Sequence, residues 1–168
     1  YFANKRYDAK AFADYLNNTL MRYKDGTNRN MLNLIDSHDI ERFYNTVGFD
    51  NDLELMAIAA LTFYLGSPML YYGDEIFMEG KQDPYNRKAM RWNSTAFESV
   101  EFQTVKRLLN MRQNDILRLG DISVWAKDDV AYIRRTHGGQ SLTLALNYSG
   151  EDKTVCGKVV FGRNVSGK

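Results

Sequence analysis

Hydrophobic residues in the first third of the chain follow two different spacings. Phe12, Leu16 and Leu20 recur at helical intervals, together with Tyr15 and Tyr23, and predict an amphipathic helix over residues 8–23. The stretch Lys24-Asp25-Gly26 is expected to end it. Residues 31–35 are short and almost continuously apolar, which is typical of a buried parallel strand.

A second helix and a second strand follow in the same order. Residues 51–65 are apolar nearly all round, so we expect a mostly buried helix, with Asn51 and Glu54 forming a capping box at its start. Residues 69–72 predict another short strand. The order helix, strand, helix, strand favours a parallel α/β architecture.

The periodicity changes near Gly120, where a third helix is expected to end. Beyond it, apolar and polar residues alternate over residues 122–126, 130–136 and 141–148, joined by Asp128-Asp129 and Gly138-Gly139. Alternation with such turns is typical of hairpins. We therefore predict two domains, residues 1–120 as an α/β part and residues 121–168 as a small, incomplete antiparallel β domain.

Polar residues capable of chemistry come directly after both predicted strands. His38 and Asp39 follow the first, and Asp74 and Glu75 follow the second. Parallel barrels and sheets keep their active sites at such strand ends, so the sequence indicates a site there. An alternative is a strand followed by a solvated turn, in which Ser37 and Asp39 cap a helix.

Composition narrows the classes of partner. With 22 basic and 21 acidic residues the net charge is +1, which provides no electrostatic footprint for nucleic acid or an anionic membrane. No apolar run reaches the roughly 18 to 20 residues that span a bilayer, so we expect a soluble protein, in the cytoplasm or outside it. The single cysteine, Cys156, excludes an internal disulfide and is expected to be a small buried hydrophobe. The start at Tyr1 suggests a piece of a longer protein.

Two segments and one strand carry a family resemblance. Residues 33–39, Asn-Leu-Ile-Asp-Ser-His-Asp, followed by Glu-Arg-Phe at 41–43, resemble the fourth signature region of the alpha-amylase superfamily, glycoside hydrolase family thirteen. Residues 66–76 and 79–92 are similar to the last barrel strand and following loop of its neopullulanase, cyclomaltodextrinase and maltogenic amylase branch. Residues 142–147 resemble the core strand of the family's C-terminal β domain.

The resemblance implies a fold and an activity. The fold is the C-terminal part of a (β/α)8 TIM barrel, its last two strands with their helices, followed by a small antiparallel β-sandwich. The activity is retaining hydrolysis of α-1,4 glucosidic bonds, with α-1,6 bonds left open, in maltooligosaccharides, cyclodextrins or pullulan. The nucleophilic aspartate and the acid/base glutamate would precede Tyr1, so the isolated chain is expected to be inactive. The alternative is a non-catalytic, amylase-like binding or interaction module.

The same resemblance assigns four site residues. Asp39 matches the carboxylate that stabilises the transition state, and His38 matches a histidine that contacts hydroxyls of the same sugar. Asp83 and Arg87 match a pair that binds substrate near its non-reducing end, although they could equally form an ion pair that holds a loop. No metal and no cofactor are expected, since neither a metal-spaced histidine pair nor a nucleotide-binding glycine pattern is present.

The expected partners follow from the same resemblance. The expected partner is an α-glucan or maltooligosaccharide substrate. Two strands taken from an eight-stranded barrel leave open edges, which favours self-association, and a homodimer is one such form.

Overall fold

Helices alternate with two very short parallel strands in the first half of the computed structural model, which describes residues 8–155, 159–162 and 165–167. The helices are α1 (Ala9–Met21), α2 (Asp25–Asn30), α3 (Phe43–Thr46), α4 (Asn51–Phe63), α5 (Val100–Met111) and α6 (Asp115–Leu119). The strands are β1 (Leu32–Asn33), β2 (Ser67–Pro68), β3 (Asp121–Lys127), β4 (Val130–His137), β5 (Gln140–Asn147), β6 (Lys153–Val155), β7 (Val159–Gly162) and β8 (Val165–Gly167). Strands β1 and β2 pair in parallel, so the expected α/β class is confirmed.

Helix α1 agrees with the predicted amphipathic helix. Asp8 caps it, because its carboxylate accepts a hydrogen bond from the Ala11 N–H at 2.7 Å. Phe12 is buried and Leu16 packs against the core. The sequence predicts only a helix end at residues 24–26. In the structure, Asp25 instead begins the short helix α2.

Strand β2 lies two residues earlier than predicted. The backbone N–H groups of Ser67 and Met69 donate to the carbonyls of Met31 and Asn33, both at 2.8 Å. Pro68, which has no N–H, sits between these two donors, where the ladder requires no bond from it. The strand therefore crosses Pro68, and the apolar residues 69–72 follow it rather than form it.

Helix α4 is buried as predicted, but its cap differs. The carboxylate of Asp50, not the side chain of Asn51, accepts from the N–H groups of Asp52 and Leu53, both at 3.1 Å. Glu54 does not close a capping box, since its side chain is buried with 1% exposure. The single third helix that was expected is instead divided into α5 and α6.

The C-terminal sheet begins with the predicted hairpins. Strands β3, β4 and β5 form an antiparallel meander, with positive φ at Asp128 (52°) and Asp129 (61°) in the first turn. Strand β7 then pairs with β5 in parallel, and β6 pairs with β8 in parallel, so the described part of this region is not wholly antiparallel. Cys156 lies outside the described residues.

One hydrophobic core joins the helices to this sheet. Phe12 of α1 and Phe63 of α4 belong to the same buried cluster as Val124, Ile133 and Leu144 of the sheet. The packing is continuous across residue 120, and the domain boundary placed there stays a prediction.

A buried arginine reinforces the junction between α4 and the sheet. Arg135 has 0% exposure and donates to the carbonyls of Phe63 (3.1 Å), Tyr64 (3.1 Å) and Gly120 (2.8 Å). Burial, and then the positive charge of Arg112, lower the pKa of Arg135 to about 10. The charge is kept inside because the guanidinium satisfies three carbonyls at once.

Replacing Arg135 with methionine tests this junction. Three carbonyls each lose a hydrogen bond, although Arg112 still donates to that of Tyr64 and Arg29 to that of Gly120. We expect the free energy of unfolding to fall by about 3 kcal/mol in urea denaturation. The matched control is Arg118→Met, which removes an exposed ion pair with Asp115 and should cost less than about 0.5 kcal/mol. Equal losses for the two variants would contradict the assignment.

Candidate active site

The four predicted site residues lie on two loops and point to solvent. His38 and Asp39 follow β1, and their side chains are in contact, with 3.1 Å between His38 Nε2 and Asp39 Oδ1. Asp83 and Arg87 lie on the loop after β2, with 3.4 Å between Asp83 Oδ2 and Arg87 Nη2. The side chain of Asp39 is 71% exposed, so the carboxylate is accessible to a ligand.

Hydrogen bonds from side chains of the second loop to backbone carbonyls of the first loop bring these two pairs together. Arg87 Nε donates to the carbonyl of His38 at 3.0 Å. The side-chain amide of Asn86 donates to the same carbonyl at 2.8 Å and to that of Ile40 at 2.9 Å. The structure thus forms the loop-holding ion pair between Asp83 and Arg87 while leaving both side chains exposed, so both interpretations of this pair stay open.

The helix-capping alternative does not describe this loop. The first N–H of α3, on Phe43, donates to Asp36 Oδ2 at 2.7 Å. The hydroxyl of Ser37 accepts from the N–H of Asp39 at 3.2 Å instead. Neither Ser37 nor Asp39 caps α3, so the side chain of Asp39 is left available for another role.

A buried guanidinium lies beneath the two loops. Arg42 has 0% exposure, and its Nη1 donates to the carbonyl of Tyr72 at 2.6 Å and to Asp74 Oδ1 at 3.2 Å. Its Nε donates to the carbonyl of Asn86 at 3.1 Å, and its backbone N–H donates to that of Gly80 at 2.9 Å. Arg42 therefore ties the loop after β1 to two segments that follow β2.

Aromatic rings complete the surroundings of this guanidinium. Its central carbon lies 4.4 Å from the ring centroid of Tyr71 and 4.8 Å from that of Tyr72. Such contacts favour a cation over the ring face. Both rings thus pack against Arg42.

Sequence reasoning missed the supporting roles of Arg42 and Asn86. In the sequence, Arg42 stands out only as part of the motif Glu-Arg-Phe at 41–43, and no pattern distinguishes Asn86. The signal that could have found Arg42 is the pair of acids after the two strands, Asp36 and Asp74. Two acids buried together require a cation.

Three buried acids surround this single cation. Asp36 and Asp74 are both buried, and Glu54 lies within electrostatic range of both. Burial, and then repulsion from Asp36, raises the pKa of Asp74 to about 8. Burial, and then the charges of Asp74 and Asp36, raises the pKa of Glu54 to about 9. Burial also raises the pKa of Asp36.

Within the described residues, no group of three or more histidine, cysteine, aspartate or glutamate side chains is arranged to hold a metal ion. None of the helices in the described part of the chain is both long enough and apolar enough to cross a membrane.

An α/β fold with exposed imidazole, carboxylate and guanidinium groups after its parallel strands is the arrangement of proteins that bind ligands at strand ends. The comparison with known families agrees with this arrangement. Residues 2–137 match the sequence model of the alpha-amylase family described as "Alpha amylase, catalytic domain". The chain belongs to the alpha-amylase family, which confirms the resemblance in its signature residues.

Individual relatives place the chain within this family. A cyclomaltodextrinase of Thermoanaerobacter pseudethanolicus is 34% identical over 171 residues, covering 100% of this chain and 29% of the relative. Neopullulanase 2 of Thermoactinomyces vulgaris is 33% identical, covering 92% and 27%. The solved cyclic alpha-maltosyl-(1→6)-maltose hydrolase of Arthrobacter globiformis superposes with a TM-score of 0.76 at 32% identity, covering 81% and 31%. The chain spans less than a third of the length of each.

Replacing Glu54 with glutamine tests the burial of its proton. The unfolded chain loses this proton near pH 4.5, whereas the folded protein keeps it to about pH 9, so the free energy of unfolding falls as the pH rises across this window. We expect wild-type stability to fall more steeply than that of Glu54→Gln, by up to about 1.4 kcal/mol per pH unit between about pH 5 and 8. Urea denaturation at several pH values measures both slopes.

The control for this measurement is Glu98→Gln, which changes an exposed glutamate. Its slope should match that of the wild type. Identical slopes for Glu54→Gln and Glu98→Gln would show that Glu54 does not retain its proton in the folded protein.

Proposed function

We propose that this chain forms the C-terminal part of the catalytic unit of a retaining α-glucan hydrolase that acts on maltooligosaccharides, cyclodextrins or pullulan. The observation that carries the proposal is the accessible His38–Asp39 pair after β1, joined through Arg87 to the loop after β2. Membership of the alpha-amylase family and the names of the relatives support it.

The proposal includes an architecture. Strands β1 and β2 are the last two strands of a (β/α)8 barrel, with residues 1–120 in the barrel part. Residues 121–168 belong to a C-terminal β-sandwich. The parallel pairing of β1 with β2 and the polar residues that follow each strand support this placement.

Each site residue has a chemical role in this proposal. The Asp39 carboxylate accepts hydrogen bonds from sugar hydroxyls and stabilises the positive charge that develops on the sugar ring. His38 binds hydroxyls of the same sugar, since an imidazole can donate or accept. Asp83 and Arg87 bind hydroxyls near the non-reducing end, and their ion pair keeps the loop in shape before substrate arrives.

The bond-breaking groups come from polypeptide outside this chain. A retaining glycosidase needs a nucleophilic carboxylate and an acid/base carboxyl group about 5 Å apart. In this proposal both groups precede Tyr1 in the full protein. The 168 residues alone therefore bind part of the substrate without cleaving it.

Replacing Asp39 with asparagine in the intact protein tests its role. An amide offers no negative charge to the transition state, so we expect kcat on maltotriose to fall by about 10³-fold. The melting temperature should not change, because the side chain is 71% exposed. Asp128→Asn, in an exposed turn, is the matched control and should keep wild-type kcat. Wild-type kcat in Asp39→Asn would refute the assignment.

The isolated chain provides a second test. We expect its turnover of maltotriose to equal that of its own Asp39→Asn variant, because the nucleophile and acid are absent. Turnover that depends on Asp39 would show that the chain carries its own catalytic pair.

We also expect the isolated chain to associate with itself. Three apolar side chains near β1 are exposed: Leu32 (59%), Leu34 (44%) and Tyr15 (46%). Leu34 and Tyr15 also line an apolar groove of about 430 Å³ between α1 and α4. Exposed apolar surface of this kind favours association, and a homodimer is the form we propose. Light scattering at several concentrations measures it, and a strict monomer would exclude it.

A further inference from the structure

The side-chain amide of Asn86 holds the backbone on both sides of Asp39. Its Nδ2 has two hydrogens, one for the carbonyl of His38 at 2.8 Å and one for that of Ile40 at 2.9 Å. These residues immediately precede and follow Asp39 in the chain. Two bonds from one nitrogen therefore restrain the orientation of the peptide groups that flank the Asp39 carboxylate.

Asn86 is itself held from below. It is 1% exposed, and its backbone carbonyl accepts from Arg42 Nε at 3.1 Å. Arg42 is fully buried and is bound to Asp74 and to the carbonyl of Tyr72. Although Asn86 lies on the loop of Asp83 and Arg87, its backbone is therefore bound to the buried guanidinium of Arg42.

The carbonyl of His38 also accepts from Arg87 Nε at 3.0 Å, but Asp39 itself has few other restraints. Its backbone N–H donates to the hydroxyl of Ser37 at 3.2 Å, and its carboxylate contacts the exposed imidazole of His38. An exposed side chain of this kind depends on its backbone for a defined position. A displacement of about 1 Å at a reacting group can cost about 10²-fold in rate.

We propose that Asn86 is a positioning residue that acts through Asp39, an inference that rests on the proposed function. The amide holds the Asp39 backbone where its carboxylate meets the sugar. By the same contacts, it couples the loop of Asp83 and Arg87 to the loop of His38.

The chain contains a matched control in Asn28. This asparagine is also buried, with 7% exposure, and its Nδ2 also donates to two carbonyls, those of Leu20 (2.7 Å) and Tyr23 (3.2 Å). It bridges α1 and α2, outside the candidate active site. Asn28→Ala therefore removes two hydrogen bonds of the same kind without changing the contacts of the loop that carries Asp39.

A double-mutant cycle in the intact protein tests the inference. The variants are Asn86→Ala, Asp39→Asn and their combination, with kcat/KM on maltotriose and the melting temperature as readouts. We expect Asn86→Ala alone to lower kcat/KM by about 10- to 100-fold, and by less than about twofold when Asp39 is already asparagine. Asn28→Ala should lower the melting temperature to a similar extent and leave kcat/KM within about twofold of the wild type.

The outcomes separate the inference from the proposed function. If Asn86→Ala has its full effect in both backgrounds, or none in either, Asn86 does not act through Asp39 and the inference is wrong. If Asp39→Asn leaves kcat/KM unchanged, the proposed function fails first. Should Asn86→Ala not fold by circular dichroism, Asn86→Ser, which keeps one donor, enters the same cycle under the same criterion.

Discussion

The buried guanidinium of Arg42 is the interaction on which the candidate active site depends. A cation without exposure is costly unless hydrogen bonds and neighbouring charge offset its burial. Here the carbonyls of Tyr72 and Asn86 accept from Nη1 and Nε, the carboxyl group of Asp74 lies 3.2 Å from Nη1, and the rings of Tyr71 and Tyr72 lie against the guanidinium. Because these partners lie on different segments, satisfying one cation also fixes the loops relative to one another.

The site combines exposed chemistry with buried support. His38, Asp39, Asp83 and Arg87 all face solvent, where a ligand can reach them. Exposed side chains lose precision unless their backbone is held by groups that cannot move, and here that support comes from Asn86. The division explains how an accessible carboxylate keeps a defined position.

Sequence patterns located most elements but not their ends. Helical spacing found α1 and α4, and alternation found β3, β4 and β5, because each pattern extends over several residues. The errors lie where neighbouring residues offer similar chemistry. Asp50 and Asn51 are both good caps, and the structure makes Asp50 the cap, with an extended backbone and a carboxylate that accepts from Asp52 and Leu53. Strand β2 crosses Pro68, a residue that usually argues against a strand.

The sequence by itself determined the α/β order and the family, and it supplied four candidate site residues, because these depend on local spacing and on a contiguous motif. Only the tertiary structure decided that Asn86 supports His38, 48 residues away, and that Arg42 is buried among three acids. It also decided that burial raises the pKa of Glu54. The physical reason is that burial and long-range contacts set these properties, and neither is encoded in the spacing of neighbouring residues.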